Sequence, residues 1–160
     1  TCALPISLMR DVDNYLDDLK PGDRFEAPTG YTLSEADIMG FAQRYDPQPF
    51  HIDSEAAKQT IHGGLIASGF QTLAAGFRVL YGTSFITTAN LGGIGIDELR
   101  WLKPVRPGDT LRSIAEITEV TPSKSKPDRG VVKYAITVVN QKKEPVLTGI
   151  FIIVVKRRPE

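Results

Sequence analysis

In the stretch RYDPQPFHIDSEAAK, residues 44–58, an acid, two prolines and a histidine fall between Asp46 and His51. The chain has only two histidines, so one placed five residues after an aspartate is a specific arrangement. Pro47 and Pro49 restrict the backbone between the two side chains. An acid and an imidazole held at a fixed separation can share one water or one substrate proton, which is general acid–base chemistry. The same residues also fit a plain loop, in which Asp46 caps a helix and His51 is a packed side chain.

A second segment, TIHGGLIASG at 60–69, carries two glycines ahead of an apolar run. A helix opening at these glycines presents N–H groups without intrahelical acceptors and the positive end of the helix dipole. Such a place can hold a carbonyl oxygen that becomes negative during a reaction, and glycine lets a ligand approach the backbone closely. A tight turn into a buried helix accounts for the same residues. Asp46, His51, Asp53 and His62 are metal-ligating types but follow no recognised ligand spacing, and no metal is expected. GGIGIDELRW at 92–101 lacks the Lys-Ser/Thr of a phosphate loop. Ser68 has no G-x-S-x-G frame, so a serine-hydrolase nucleophile is not expected.

The elements that must position these residues can be read from periodicity. RFEAPTGYTL reads as a short strand or hairpin. Ser34 with Asp37 forms a capping-box pattern, and Ile38, Phe41, Ala42 and Tyr45 follow at helical spacing. Pro47 ends that helix at or before Asp46, and Ser54 starts another short one. Ile66, Phe70, Leu73, Phe77 and Leu80 form an apolar stripe flanked by small residues, which predicts a long helix over about 64–81. From residue 90 the period shifts towards two, giving four strands: LGGIGIDELRWLKPV, TLRSIAEITEV, VVKYAITVVN and VLTGIFIIVV. In the last of these both alternating sets are apolar, which predicts burial on both faces and a second subunit or overhang to cover one of them.

Bulk properties bound the function classes. The 160 residues suit one domain, expected at 20–156 after an N-terminal extension, 1–19. Nineteen acidic residues balance nineteen basic ones, so no global field draws nucleic acid or an anionic membrane. Lys156-Arg157-Arg158 reads as a solvated tail. One cysteine, Cys2, excludes an intrachain disulfide. With no signal-peptide core and no apolar run of membrane-spanning length, a cytoplasmic location is expected.

Together the two segments resemble the MaoC-like dehydratases, the hotdog-fold family that includes the (R)-specific enoyl-CoA hydratases. The family's hydratase signature is approximately an aromatic followed by Asp-x-Asn-Pro-x-His-x-Asp. Here it stands as Tyr45, Asp46-Pro47-Gln48-Pro49-Phe50-His51, Ile52, Asp53, with His62-Gly63-Gly64-Leu65-Ile66-Ala67-Ser68 as the second block. The resemblance spans about residues 20–155. It implies an α+β hotdog fold, an antiparallel sheet wrapped around a long central helix. It also implies Asp46 and His51 as a catalytic dyad, with Gly63 as oxyanion donor and Gly64, Gln48 and His62 in the substrate-binding surroundings. Gln48 replaces the usual Asn, and Gln71 aligns with a serine present in some hydratases. The implied reaction is addition of water to a trans-2-enoyl-CoA giving an (R)-3-hydroxyacyl-CoA, without a cofactor, in a homodimer or higher oligomer. An acyl-carrier-protein substrate is possible. The rival activities are a hotdog acyl-CoA thioesterase and a non-catalytic acyl-thioester-binding subunit. The long helix has no Asp or Glu to serve the first, and the intact dyad counts against the second.

Overall fold

Alternation of buried and open side chains along four long strands builds the sheet. The computed structural model describes residues 14–83, 85 and 88–159. Its strands are β1 (Arg24–Glu26), β2 (Tyr31–Thr32), β3 (Asn90–Trp101), β4 (Thr110–Pro122), β5 (Arg129–Val139) and β6 (Pro145–Lys156). All pairings are antiparallel, in the order β1-β4-β5-β6-β3, with β2 also on β4. The short strand or hairpin expected at 24–33 is therefore two short strands that pair with β4 and not with each other. On β4 and β5, Leu111, Ala115, Ile117, Val132, Tyr134, Ile136 and Val138 point into one core, the period-two pattern of a sheet with one covered face.

Between β2 and β3 lie four helices: α1 (Glu35–Tyr45), α2 (Pro49–Ile52), α3 (Ser54–Lys58) and α4 (Gly69–Leu80). Ser34 caps α1 in the expected box, accepting from the Asp37 N–H at 3.1 Å while its own N–H donates to the Asp37 carboxylate at 2.9 Å. The long helix α4 begins five residues later than the apolar stripe implies. Its buried face is also displaced: Gln71, Thr72, Ala75, Gly76 and Val79 face inwards, whereas Phe70 is exposed and Leu73 and Phe77 are half-buried. Small residues win the inner face because they let the helix axis approach the sheet. Ser113 Oγ donates to Gly76 O at 2.6 Å, and a Cβ on Gly76 would come within 2.5 Å of Val138 Cγ2. Beside this contact Phe77 stacks on Phe151 and Phe151 on Tyr134, with centroids 5.7 and 5.3 Å apart.

On β6, Val146, Leu147, Phe151, Ile153 and Val155 are buried, but Ile150, Ile152 and Val154 are only half-buried, so the chain itself covers one face fully and the other only in part. Domain packing reaches back past residue 20: a 3-10 turn at Leu16–Asp18 puts Leu16 and Leu19 in the core. Residues 1–13 of the proposed extension, Cys2 among them, lie outside the described residues. The basic tail is not simply solvated, since Arg157 pairs with Asp17 at 3.4 Å and Arg158 with Asp18 at 2.6 Å.

The close helix–sheet approach at Gly76 has a measurable cost when blocked. Gly76→Ala gains helix propensity but overpacks the contact with Val138, so a net loss of about 1–2 kcal/mol is expected. Urea unfolding with an unchanged slope and a lowered midpoint is the readout.

Candidate active site

Pro47 stops α1 at Tyr45, leaving Asp46 as its C-terminal cap, with its N–H on Ala42 O at 2.8 Å. Two residues later Pro49 occupies the first position of α2, where a missing N–H costs nothing. One turn of helix then carries His51 inwards, where it is buried. Its partner segment, residues 65–68, is extended: Ile66 N–H donates to Phe50 O at 3.2 Å and Ala67 N–H to Val105 O at 2.8 Å. That leaves Ile66 O facing His51 Nδ1 at 2.7 Å. A carbonyl can only accept, so the proton of neutral His51 sits on Nδ1 and the lone pair on Nε2. Nε2 lies 3.3 Å from Asp46 Oδ2.

Asp46 is held by two neutral donors. Ser68 Oγ donates to Oδ2 at 2.6 Å and Gln48 Nε2 to Oδ1 at 2.8 Å. The Ser68 hydrogen bond keeps the Asp46 carboxyl below the usual carboxylate range, against partial burial and with help from Gln48 and the positive charge available to His51. Asp46 is therefore ionised at neutral pH. When His51 is neutral, two acceptors face each other across 3.3 Å. A water donating one O–H to each satisfies both and turns its own oxygen lone pairs outwards. Outwards is a cavity of about 420 Å³, lined by both dyad residues and by Gln48, His62, Gly69 and Trp101 among others.

The structure thus brings Asp46, His51, Gln48 and His62 to one cavity and leaves Gly63 and Gly64 off its wall. Gly63 does not open the helix. It sits in a turn at φ 63°, with Gly64 at φ 158°, and its N–H is taken by Thr60 O at 3.0 Å. Gly63 thus lacks the two features from which its oxyanion role is expected, a helix start and a free N–H. The residue that opens α4 is Gly69, and it does line the cavity. Its cap is Ser68, whose Oγ accepts from Phe70 N–H at 3.3 Å. No nucleophile motif surrounds Ser68. An N-cap serine directly before a helical apolar run was the available signal. Of the other metal-ligating types, Asp53 caps α3 by accepting from the N–H groups of Glu55 and Ala56, both at 2.9 Å. The His62 ring packs on Phe50, centroids 5.1 Å apart.

Ser68→Ala removes the largest influence on Asp46 and one helix cap together. The Asp46 titration, followed by carboxyl NMR, should move upwards, and stability at neutral pH should fall by about 1 kcal/mol. A group with a depressed folded pKa contributes stability that is present above its unfolded value and is lost as pH falls through the folded one. The variant should accordingly lose less stability than wild type on acidification through and below the usual carboxylate range.

Residues 18–140 match the family model described as the MaoC like domain. Among curated proteins, the chain is 32% identical over 142 residues to Uncharacterized protein YdeM of Bacillus subtilis, covering 89% of this chain and 99% of that one. It is 33% identical over 116 residues to the (R)-specific enoyl-CoA hydratase of Rhodospirillum rubrum, covering 69% and 74%. Among solved structures, a MaoC-like dehydratase from Rhodospirillum rubrum aligns with a TM-score of 0.86 at 41% identity, over 92% of this chain and 99% of that one. A Mycobacterium tuberculosis protein with a double hotdog fold aligns with a TM-score of 0.70 at 21% identity, over 92% and 46%, a likeness of fold alone. The antiparallel sheet packed on α4 is that hotdog fold, and the chain belongs to the MaoC-like domain family.

Proposed function

We propose that the protein adds water reversibly to trans-2-enoyl-CoA, giving (R)-3-hydroxyacyl-CoA. The observation that carries this reading is the 3.3 Å approach of His51 Nε2 to Asp46 Oδ2 on the cavity wall, with the imidazole proton fixed on the far nitrogen. A water on the cavity side, donating to both, gives one proton to Nε2 as its oxygen bonds to the substrate β-carbon. Negative charge moves to the thioester oxygen. The imidazolium then passes that proton to the α-carbon, and the second water hydrogen remains on the new hydroxyl. Asp46, already ionised, accepts the second O–H during attack and stabilises the imidazolium. For the thioester oxygen, the N–H of Gly69 is the donor we assign, because the first residue of a helix has no intrahelical acceptor for it.

The family and the relative named (R)-specific enoyl-CoA hydratase support the reaction class. CoA thioesters are the substrates we favour, with carrier-protein thioesters as the variant form, within cytoplasmic fatty acid metabolism. Among the described residues no helix is long and apolar enough to cross a membrane. Helix α4 carries no Asp or Glu, which leaves a thioesterase without the acid on that helix that such enzymes commonly use. Crotonyl-CoA tests the reading. Loss of the conjugated absorbance without thiol release supports hydration, whereas thiol release identifies a thioesterase.

Asp46→Asn and His51→Ala should each lower turnover by about 10²–10⁴-fold with the fold intact by circular dichroism. Because the two act on one water, the double variant should lose far less than the product of the single losses. Near-normal turnover in folded Asp46→Asn protein would refute the assignment.

We also infer a homodimer formed along β3. This strand is the long edge of the sheet and exposes Leu91, Ile94 and Ile96, while Phe70, Leu73 and Phe77 leave one side of α4 incompletely covered. Light scattering should give twice the chain mass at micromolar concentration, and Ile94→Lys should shift it towards one chain. A wild-type protein that is monomeric and active removes the inference.

A further inference from the structure

The apolar lining of the catalytic cavity has a buried part and an open part. Ile66 and Val105 are buried in the core, and Phe50 packs between the rings of His51 and His62. The large apolar side chains that offer open surface to the cavity are Phe70, 61% exposed, Leu102, 50%, and Trp101, 47%. Of these, Trp101 is tied down. Its Nε1–H donates to Gly69 O at 2.8 Å. Its ring stands where a side chain at Gly69 would be, since a Cβ there would lie 2.6 Å from both Cε2 and Nε1. Phe70 leans on it edge to face, with centroids 5.9 Å apart.

A short chain of contacts connects this indole to the chemistry. Asp46 accepts from Ser68, Ser68 precedes Gly69, and Gly69 O accepts from Trp101. The distance from the reacting carbon to the aromatic wall is therefore set by one helix end. An alkyl group beyond the β-carbon gains by burial against the apolar part of this lining, and a wall fixed this way does not retreat for a longer chain. The cavity volume, about 420 Å³, lies towards the small end of the range of about 300–1,000 Å³ for small-molecule sites, and it must also admit the end of the thioester arm. We infer that Trp101 determines acyl-chain specificity, restricting the proposed hydratase to short enoyl groups, and that Gly69 is the residue that allows it to stand there.

This rests on the hydratase reading, and the test separates the two. Catalytic efficiency is measured with crotonyl-CoA and trans-2-octenoyl-CoA for wild type, Trp101→Ala, Gly69→Ala and Trp101→Phe, each checked for fold by circular dichroism. Trp101→Leu replaces the alanine variant if that does not fold. Wild type should prefer crotonyl-CoA. Removing the wall should raise the octenoyl-to-crotonyl ratio by about tenfold or more, the scale on which a hydrophobic pocket discriminates chain length. Gly69→Ala retains the indole but displaces it, so it should move the ratio the same way. Trp101→Phe, aromatic but without the N–H, should move it less than alanine does. Folded variants with the wild-type ratio overturn the role of Trp101 and leave hydration standing. A wild type that hydrates neither substrate removes both. Trp101 is the only tryptophan, so its emission supplies a readout independent of turnover. Saturated butyryl-CoA should quench it at a lower concentration than octanoyl-CoA, and equal half-points would count against the assignment.

Discussion

The hydrogen bond from His51 Nδ1–H to the carbonyl of Ile66 is the interaction on which the site depends. It exists only because residues 65–68 stay extended. Were they the first turn of α4, Ile66 O would accept from the backbone four residues on and His51 would face no acceptor. The imidazole proton could then sit on Nε2 against Asp46, where it would make an ordinary hydrogen bond and leave no base. Two further bonds keep the segment out of the helix, Ile66 N–H to Phe50 O and Ala67 N–H to Val105 O. The site is thus assembled from α2, an extended segment and the β3–β4 connection, and each fixes the others. The same connection reaches the glycine turn, where Arg106 Nη2 donates to His62 O at 2.5 Å.

The donor chosen for Asp46 also matters. Ser68 depresses its pKa as a neutral hydroxyl, without placing a permanent positive charge beside the imidazole. An arginine in its place would have lowered the carboxyl pKa as well, but would have opposed protonation of His51. With serine, the 3.3 Å approach to Asp46 becomes an ion pair only when His51 takes a proton, so in the proposed reaction its attraction would be strongest once the imidazolium has formed.

Much of this was legible in the sequence where local rules act alone. The capping box at Ser34, the stop at Pro47, the start at Ser54 and the four long strands follow from caps, proline and period, and the structure has them. The start of α4 was misplaced because apolar residues 65–67 continue the helical stripe, while the bonds that hold them extended come from Phe50, His51 and Val105, distant in sequence. Its inner face was misjudged for a related reason. Periodicity ranks residues by apolarity, but the sheet selects Ala75 and Gly76 for closeness and leaves Phe70 outside. The pairing of β1 and β2 with β4 and the core position of Leu16 are likewise set by tertiary partners that no local pattern contains.

The two edges of the sheet are unequal. At one end β1 offers three residues, and at the other β3 offers twelve, interrupted by register shifts and by Glu98 at φ 53°. Exposed edges are the templates on which strands add without limit, and proteins blunt them by shortening or by bulges. At the β1 end of the sheet, β1 and β2 cover β4 only at 110–116 and leave its last stretch without a strand partner on that side, so a sheet that pairs along β3 keeps only short, broken edges. In the proposed dimer, growth by strand addition would close at two copies, in a self-complementary contact instead of an open fibre. The irregular backbone of β3 acts in the same direction, since it confines any pairing to its regular stretches.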